Sequence, residues 1–91
     1  MSGPDPGLKP IEFPPHATRQ MAERGTIREH VEESIRIGER IPARHGRFLY
    51  RLNRPFESEW DGRYYRVQQV APIVVEEIDR FVVITVFTYY F

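Results

Sequence analysis

Residues Phe81 to Tyr90 read Phe-Val-Val-Ile-Thr-Val-Phe-Thr-Tyr-Tyr and leave little choice of local structure. β-branched and aromatic side chains of this kind fit a pleated strand. Strict alternation puts Val82, Ile84 and Val86 on one face. Phe81, Val83, Phe87 and Tyr89 fall on the other, so both faces are apolar. A strand apolar on both faces belongs inside a sheet, with strands on each side and a layer above it. The rest of the chain must therefore supply both.

The preceding segments do so. Residues 1–10 hold Pro4, Pro6 and Pro10 with Gly3 and Gly7 and read as a flexible leader, which leaves 11–91 as one domain. Ile11-Glu12-Phe13 is a short extended piece. Pro15 suits the first position of a helix that runs to Arg24, and Gly25 supplies its left-handed cap. Thr26 and Glu29 have capping-box spacing, which starts a second helix with Ile27, Val31 and Ile35 on one side and an end near Gly38. Beyond Pro42 the pattern is strand. Arg47 to Leu52 is followed by a long loop from Asn53 to Trp60, the turn Asp61-Gly62 and a strand from Arg63 to Val67. Ile73 to Val75 and Phe81 to Tyr90 form a second hairpin. The expected fold is α+β: two N-terminal helices packed on a four-stranded antiparallel sheet.

Composition narrows the function classes. Hydrophobic residues at 41% and aromatics at 13% are enough to bury a core, which excludes a disordered chain. At 91 residues that core is small, so a homodimer or another partner would add stability. No cysteine is present, which removes disulfides, thiolate metal sites and cysteine nucleophiles. The longest apolar run is too short for a membrane span, and no secretory signal opens the chain, so a cytoplasmic location without a membrane partner is expected. No cofactor motif or paired-histidine metal motif occurs.

Thirteen basic residues balance thirteen acidic ones, but not evenly along the chain. Residues 36–66 carry eight arginines against four acids, while the segments on either side are each net acidic. Twelve of the thirteen basic residues are arginine, whose planar fork suits phosphate or carboxylate. A basic middle fits an anionic partner; a solvated charged hairpin gives the same pattern.

The segment from His16 through Thr26-Ile27, with its His-Ala pair, Arg19, Met21 and Glu23-Arg24-Gly25, resembles the bacterial domain-of-unknown-function family 4258. Val83-Ile84-Thr85-Val86-Phe87 is similar to the strand that closes that family's domain. The likeness runs over roughly residues 12–89. The chain departs from it by Thr26 between Gly25 and Ile27 and by the stretch around Pro55 and Trp60. The helix-helix-sheet order also resembles the RelE- and BrnT-type toxin ribonucleases. That resemblance implies RNA or the ribosome as substrate and an antitoxin protein as partner.

Metal-free RNA cleavage needs a base, an acid and cations on the phosphate. His16, in the first turn of a helix, is the candidate base, and Arg19, one turn on, a candidate phosphate ligand. Arg47 from the sheet completes the clamp, with Arg51 and Arg66 as further RNA- or anion-binding residues. Tyr89 or His45 is the candidate acid. Each has a plainer reading: His16 as a helix cap or a partner of the last strand, and Arg24 as a C-terminal helix cation. The aromatic group Tyr64, Tyr65, Phe87, Tyr89, Tyr90 and Phe91 reads as a face buried in a dimer or by an antitoxin segment, or as a stacking surface for bases. In the long loop, Glu57, Glu59 and Asp61 are placed to fold back and neutralise the arginines. Two functions follow: a small toxin-type ribonuclease, or a non-catalytic domain that binds a second copy or another protein through its sheet.

Overall fold

The computed structural model describes residues 9–91. Most of the expected leader lies outside the described residues. Its last two residues are held: Phe81 N–H donates to the Pro10 carbonyl, and Lys9 donates to the Glu77 carbonyl across the Phe81 ring. The elements in chain order are β1 (Ile11–Glu12), α1 (Pro15–Arg24), α2 (Arg28–Ile37), β2 (Glu39–Pro42), β3 (Phe48–Trp60), β4 (Arg63–Glu76) and β5 (Phe81–Tyr90). A single 3-10 turn, Arg44–Gly46, joins β2 to β3. The protein is α+β with both helices on one face of the sheet, which is five-stranded and mixed rather than four-stranded and antiparallel. Its order is β1-β5-β4-β3-β2, with β1 parallel to β5 and every other pair antiparallel.

Helix α1 follows its sequence signals. Pro15 opens it, and Gly25 ends it at φ 78° with its N–H on the Met21 carbonyl. Only glycine takes that conformation without cost, and here it is needed twice. A β-carbon on Gly25 would sit 2.5 Å from the Trp60 ring and 2.7 Å from the Tyr90 hydroxyl. Helix α2 starts one residue later than the capping box requires. Ile27 is the N-cap, no side chain caps the helix, and Thr26 Oγ1 is buried without a partner. The Thr26 N–H instead closes α1 on the Met21 carbonyl, which commits the residue to the end of the first helix. Ile27 is correspondingly half exposed at 51%, not part of the core.

Three strand expectations are corrected. Asn53 to Trp60 is not a loop but the outer half of β3, paired with β4 from Asn53–Gln69 to Trp60–Arg63. Proline is tolerated there because β2 pairs only with Phe48 to Arg51 and leaves Pro55 on an edge. A bulge between Pro55 and Ser58, with Glu57 at φ 45°, bends this half into a curled arm. The segments 63–67 and 73–75 are parts of one strand, β4, with Pro72 buried in its middle. The last strand is not central either. Only β1, two residues long, lies outside it, and β4 holds the middle. A bulge in β5 sets Val74 against Val83 but Ile73 against Thr85. The alternation therefore shifts at Ile84: Phe81, Val83 and Val86 share the helix face, while Phe87 and Tyr89 turn to the other.

The core lies between the helices and one sheet face. Ala17 and Met21 of α1 and Val31 and Ile35 of α2 meet Tyr50, Val70, Val74, Phe81, Val83 and Val86. At about 25 cal/mol per Å² of apolar surface, each buried Val, Ile, Met or Phe side chain of this group is worth roughly 1.5–3 kcal/mol.

Candidate functional site

The candidate residues do not meet in one cleft. His16 and Arg19 are exposed on α1, in the helical layer, and neither makes a side-chain hydrogen bond or ion pair among the described residues. Arg47 leads into β3 and Arg51 lies four residues on, so alternation turns both to the same side of the strand. Tyr89, 51% exposed, faces away from the helices in a row with Gln69 and Asn53. Arg66 is exposed on the arm half of β4, five residues from Ala71, the residue opposite Arg51. That separation is about 17 Å at a strand's rise, so Arg51 and Arg66 are not one patch. His45 is exposed in the 3-10 turn at φ 61°. Glu57, Glu59 and Asp61 do not fold back over Arg51, because they lie along the arm and its turn. Glu39 of β2 takes that place, pairing with Arg51 at 2.9 Å.

The structure does bring one face of the sheet together. Away from the helices, cross-strand partners line up in successive rows. Val75 sits beside Val82, Leu49 beside Ile73, and Ala71 beside Phe87. The next row, Asn53–Gln69–Tyr89, is polar and is tied by a 2.8 Å bond from Gln69 Nε2 to Asn53 Oδ1. The face thus has an apolar centre, with Arg47, Arg51, Glu39, Asn53 and Gln69 around it. Neither helix packs on it, and its centre is only partly open: Ala71 is buried, while Leu49, Ile73, Val75, Val82 and Phe87 are half-buried. Toward the arm it continues into a shallow cavity of about 370 Å³ lined by Asn53, Pro55, Glu57, Val67 and Phe91 together with Arg54 and Arg66.

The free edge of β5 is closed by two side chains of α1. Gln20 Oε1 accepts the Val86 N–H at 3.0 Å and the Thr85 hydroxyl, and Arg24 Nη1 donates to the Val86 carbonyl at 2.6 Å. Arg24 also lies over the Phe87 ring, 5.1 Å from its centroid. Arg24 is the cation of the last turn of α1, as its position before Gly25 suggests, and it also caps the edge backbone at Val86.

Two polar clusters that the sequence pattern does not announce hold the fold. In the first, Arg40 grips Glu76 with two bonds of 2.9 and 3.0 Å, the Tyr50 hydroxyl donates to the same carboxylate, and Arg40 covers the Phe48 ring at 3.5 Å. The Arg40 guanidinium holds the Glu76 carboxyl below its ordinary range. Burial first, and then the bond to Glu76, push the Tyr50 hydroxyl up to about 12. In the second, Gln68 is buried and donates to the Gly25 carbonyl and the Tyr90 hydroxyl, both at 3.0 Å. Tyr90 donates to the Arg24 carbonyl at 2.6 Å and stacks on Trp60, with Phe56 and Tyr65 against its other sides. The expected aromatic stripe is thus divided. Tyr65 and Tyr90 lock the arm to the end of α1, Phe87 and Tyr89 belong to the open face, Phe91 lines the cavity, and Tyr64 is exposed. Burial first, and then the nearby Arg54 charge, lower the His30 pKa. Local spacing could not reveal these groups, because every partnership runs between strands or between a helix and a strand.

Among the described residues no group of three His, Asp or Glu side chains is placed to hold a metal ion, and no helix is long and apolar enough to cross a membrane. Comparison of the chain with protein-family models, with curated proteins and with solved structures finds no match in any of the three.

Proposed function

We propose that this chain is a non-catalytic binding domain that docks another polypeptide on the open face of its sheet. The observation behind this reading is the apolar row structure of that face, from Val75–Val82 through Leu49–Ile73 to Ala71–Phe87, with no described layer over it. A folded chain this small has little reason to keep a second apolar face unless something packs on it. The polar margin has the anatomy of a recognition surface: an apolar centre that excludes water and a hydrated rim that sets specificity. At a dilution where sedimentation reports single protomers, the folded chain should bind a fluorescent apolar-surface dye. Phe87→Asp should remove most of that signal without lowering the melting temperature by more than a few degrees. A folded protomer that binds no dye overturns this reading.

A metal-independent ribonuclease related to the RelE- and BrnT-type toxins is the second reading, and family 4258 the relationship it rests on. Arg47, Arg51 and Tyr89 sharing the open face favours it, since a strand of RNA laid there would meet cations and a phenol together. An antitoxin segment would then be the polypeptide that covers the face. Cleavage of RNA, alone or on ribosomes, that is lost in Tyr89→Phe and in Arg47→Ala would support it. Full cleavage by both variants would remove it.

A further inference from the structure

We infer that the arm end of the open face binds a short chain of neutral sugars whose ring hydroxyls are all equatorial, of the kind found in fragments of cellulose or chitin. The site lies outside the apolar rows that run from Val75–Val82 to Ala71–Phe87, so it goes beyond the docking reading and does not depend on it. Two rows make it. The first is Asn53–Gln69–Tyr89. The second is Pro55–Val67–Phe91: Val67 and Phe91 exchange backbone bonds of 2.8 and 3.0 Å, and residues so paired share a face.

The first observation is a pair of free rings. Tyr89 and Phe91 occupy alternate positions along the chain, about 6.6 Å apart at a strand's rise. They are 51% and 57% exposed, whereas Phe87 is half-buried and Tyr90 is taken up by Trp60 and the end of α1. An aromatic face is electron-rich and attracts weakly positive hydrogens. A sugar ring with equatorial hydroxyls presents only C–H groups on its two flat sides. Successive units of one chain therefore match successive rings of this strand.

The second observation is the polar chemistry beside the rings. The 2.8 Å bond from Gln69 Nε2 to Asn53 Oδ1 fixes the two amides against each other. It leaves the Gln69 carbonyl oxygen to accept and the Asn53 amino group to donate. A hydroxyl both donates and accepts, so sugar hydroxyls answer the two together. A phosphate oxygen only accepts, and leaves the Gln69 oxygen unanswered.

The cavity of about 370 Å³ repeats this pattern, with Glu57 as acceptor and Arg66 as donor beside Pro55, Val67 and Phe91. A nucleic-acid strand would meet the Glu57 carboxylate there, and it would find Arg51 already paired with Glu39 at 2.9 Å. Exposed rings flanked by groups of both hydrogen-bonding senses suit an uncharged ligand rich in hydroxyls.

The full chain titrated with cellotetraose and with chitotetraose should bind at least one of them saturably. In two-dimensional NMR the side-chain amide signals of Asn53 and Gln69 should move with that binding. Tyr89→Ala and Phe91→Ala should each weaken it by about threefold to tenfold, the worth of one ring contact. Tyr89→Phe keeps the ring and should stay within about twofold. Both side chains are exposed, so circular dichroism of the variants should match the wild type. Saturable binding of neither sugar overturns the inference, and so does binding that both alanine variants retain in full. A single-stranded RNA oligonucleotide bound in place of the sugars, with affinity falling as salt rises, overturns it in favour of the ribonuclease reading. The docking reading is judged separately, because dye that Phe87→Asp removes and neither tetrasaccharide displaces keeps that reading whatever the sugars do.

Discussion

The two faces of this sheet have the same kind of strand alternation and opposite fates. On the covered face every large polar group has an answer: Gln68 reaches Gly25 and Tyr90, Tyr50 reaches Glu76, and Gln20 reaches Val86. On the open face the polar groups keep to the margin and the centre is aliphatic or aromatic. A buried polar group must be paired because losing its water costs about 1–3 kcal/mol. The centre of the open face has little to pair: Thr85, beside Ile73, already gives its hydroxyl to Gln20 at the strand edge. The difference teaches that burial, not strand alternation, is what forces polar groups into pairs.

The comparison breaks most visibly with one carboxylate on each side. Val74 is fully buried under the helices, so Val74→Asp strands an unpaired charge and should cost more than about 4 kcal/mol. Urea denaturation should show the variant largely unfolded at room temperature. Phe87→Asp, on the open face, should stay within about 1 kcal/mol of wild type when both are measured as monomers. Equal losses in the two variants would mean that the open face is part of the core.

Gly25→Ala tests the seam where the arm closes on α1. The new methyl meets Trp60 and Tyr90, and the residue must hold φ 78°, so a loss of about 3 kcal/mol is expected in denaturant. A cost below about 1 kcal/mol would show that the arm lifts easily.

The Arg40–Glu76–Tyr50 cluster makes stability depend on pH in two windows. The Glu76 pKa is lowered in the folded chain, so its contribution is present above the ordinary value of 4.5 and fades as pH falls through the depressed folded value. Tyr50 is raised from 10.0 to about 12, so the folded state keeps a proton that the unfolded chain releases, and stability falls as pH rises between those values. Glu76→Gln should flatten the acid limb of a melting-temperature profile, and Tyr50→Phe the alkaline limb while costing about 1 kcal/mol near neutrality. Unchanged limbs would show that other groups carry the pH dependence.

The smallest effect is expected at Thr26. Its hydroxyl is buried and unpartnered, so Thr26→Val exchanges an unsatisfied donor for a methyl of similar shape and should change stability by less than about 0.5 kcal/mol, or raise it. A loss near 1 kcal/mol would restore the capping role that the sequence pattern suggests.

Helix α1, the Gly25 cap, the Asp61-Gly62 turn and the final hairpin were all legible from residues alone. Each depends on backbone preferences within a few positions: a proline at the first helical position, a glycine at positive φ, a turn pair between β-rich runs. Of the open face, Arg47, Arg51, Phe87 and Tyr89 were nameable as residues. Their grouping was not.

Tertiary structure decided the rest, and the reason is the same in each case. Pro55 and Pro72 both argue locally against a strand, yet β3 and β4 run through them, because one sits on an edge and the other is held between two ordered neighbours. The bulge at Ile84 reverses which side Phe87 and Tyr89 face, and a one-residue slip in a period-two structure moves every later side chain across the sheet. Thr26 loses its capping task because its N–H is already committed to closing α1. The sequence by itself determined which segments are helical and that two apolar surfaces must exist. Register and edge position, set by contacts between residues far apart in the chain, determined that one surface became the core and the other stayed open.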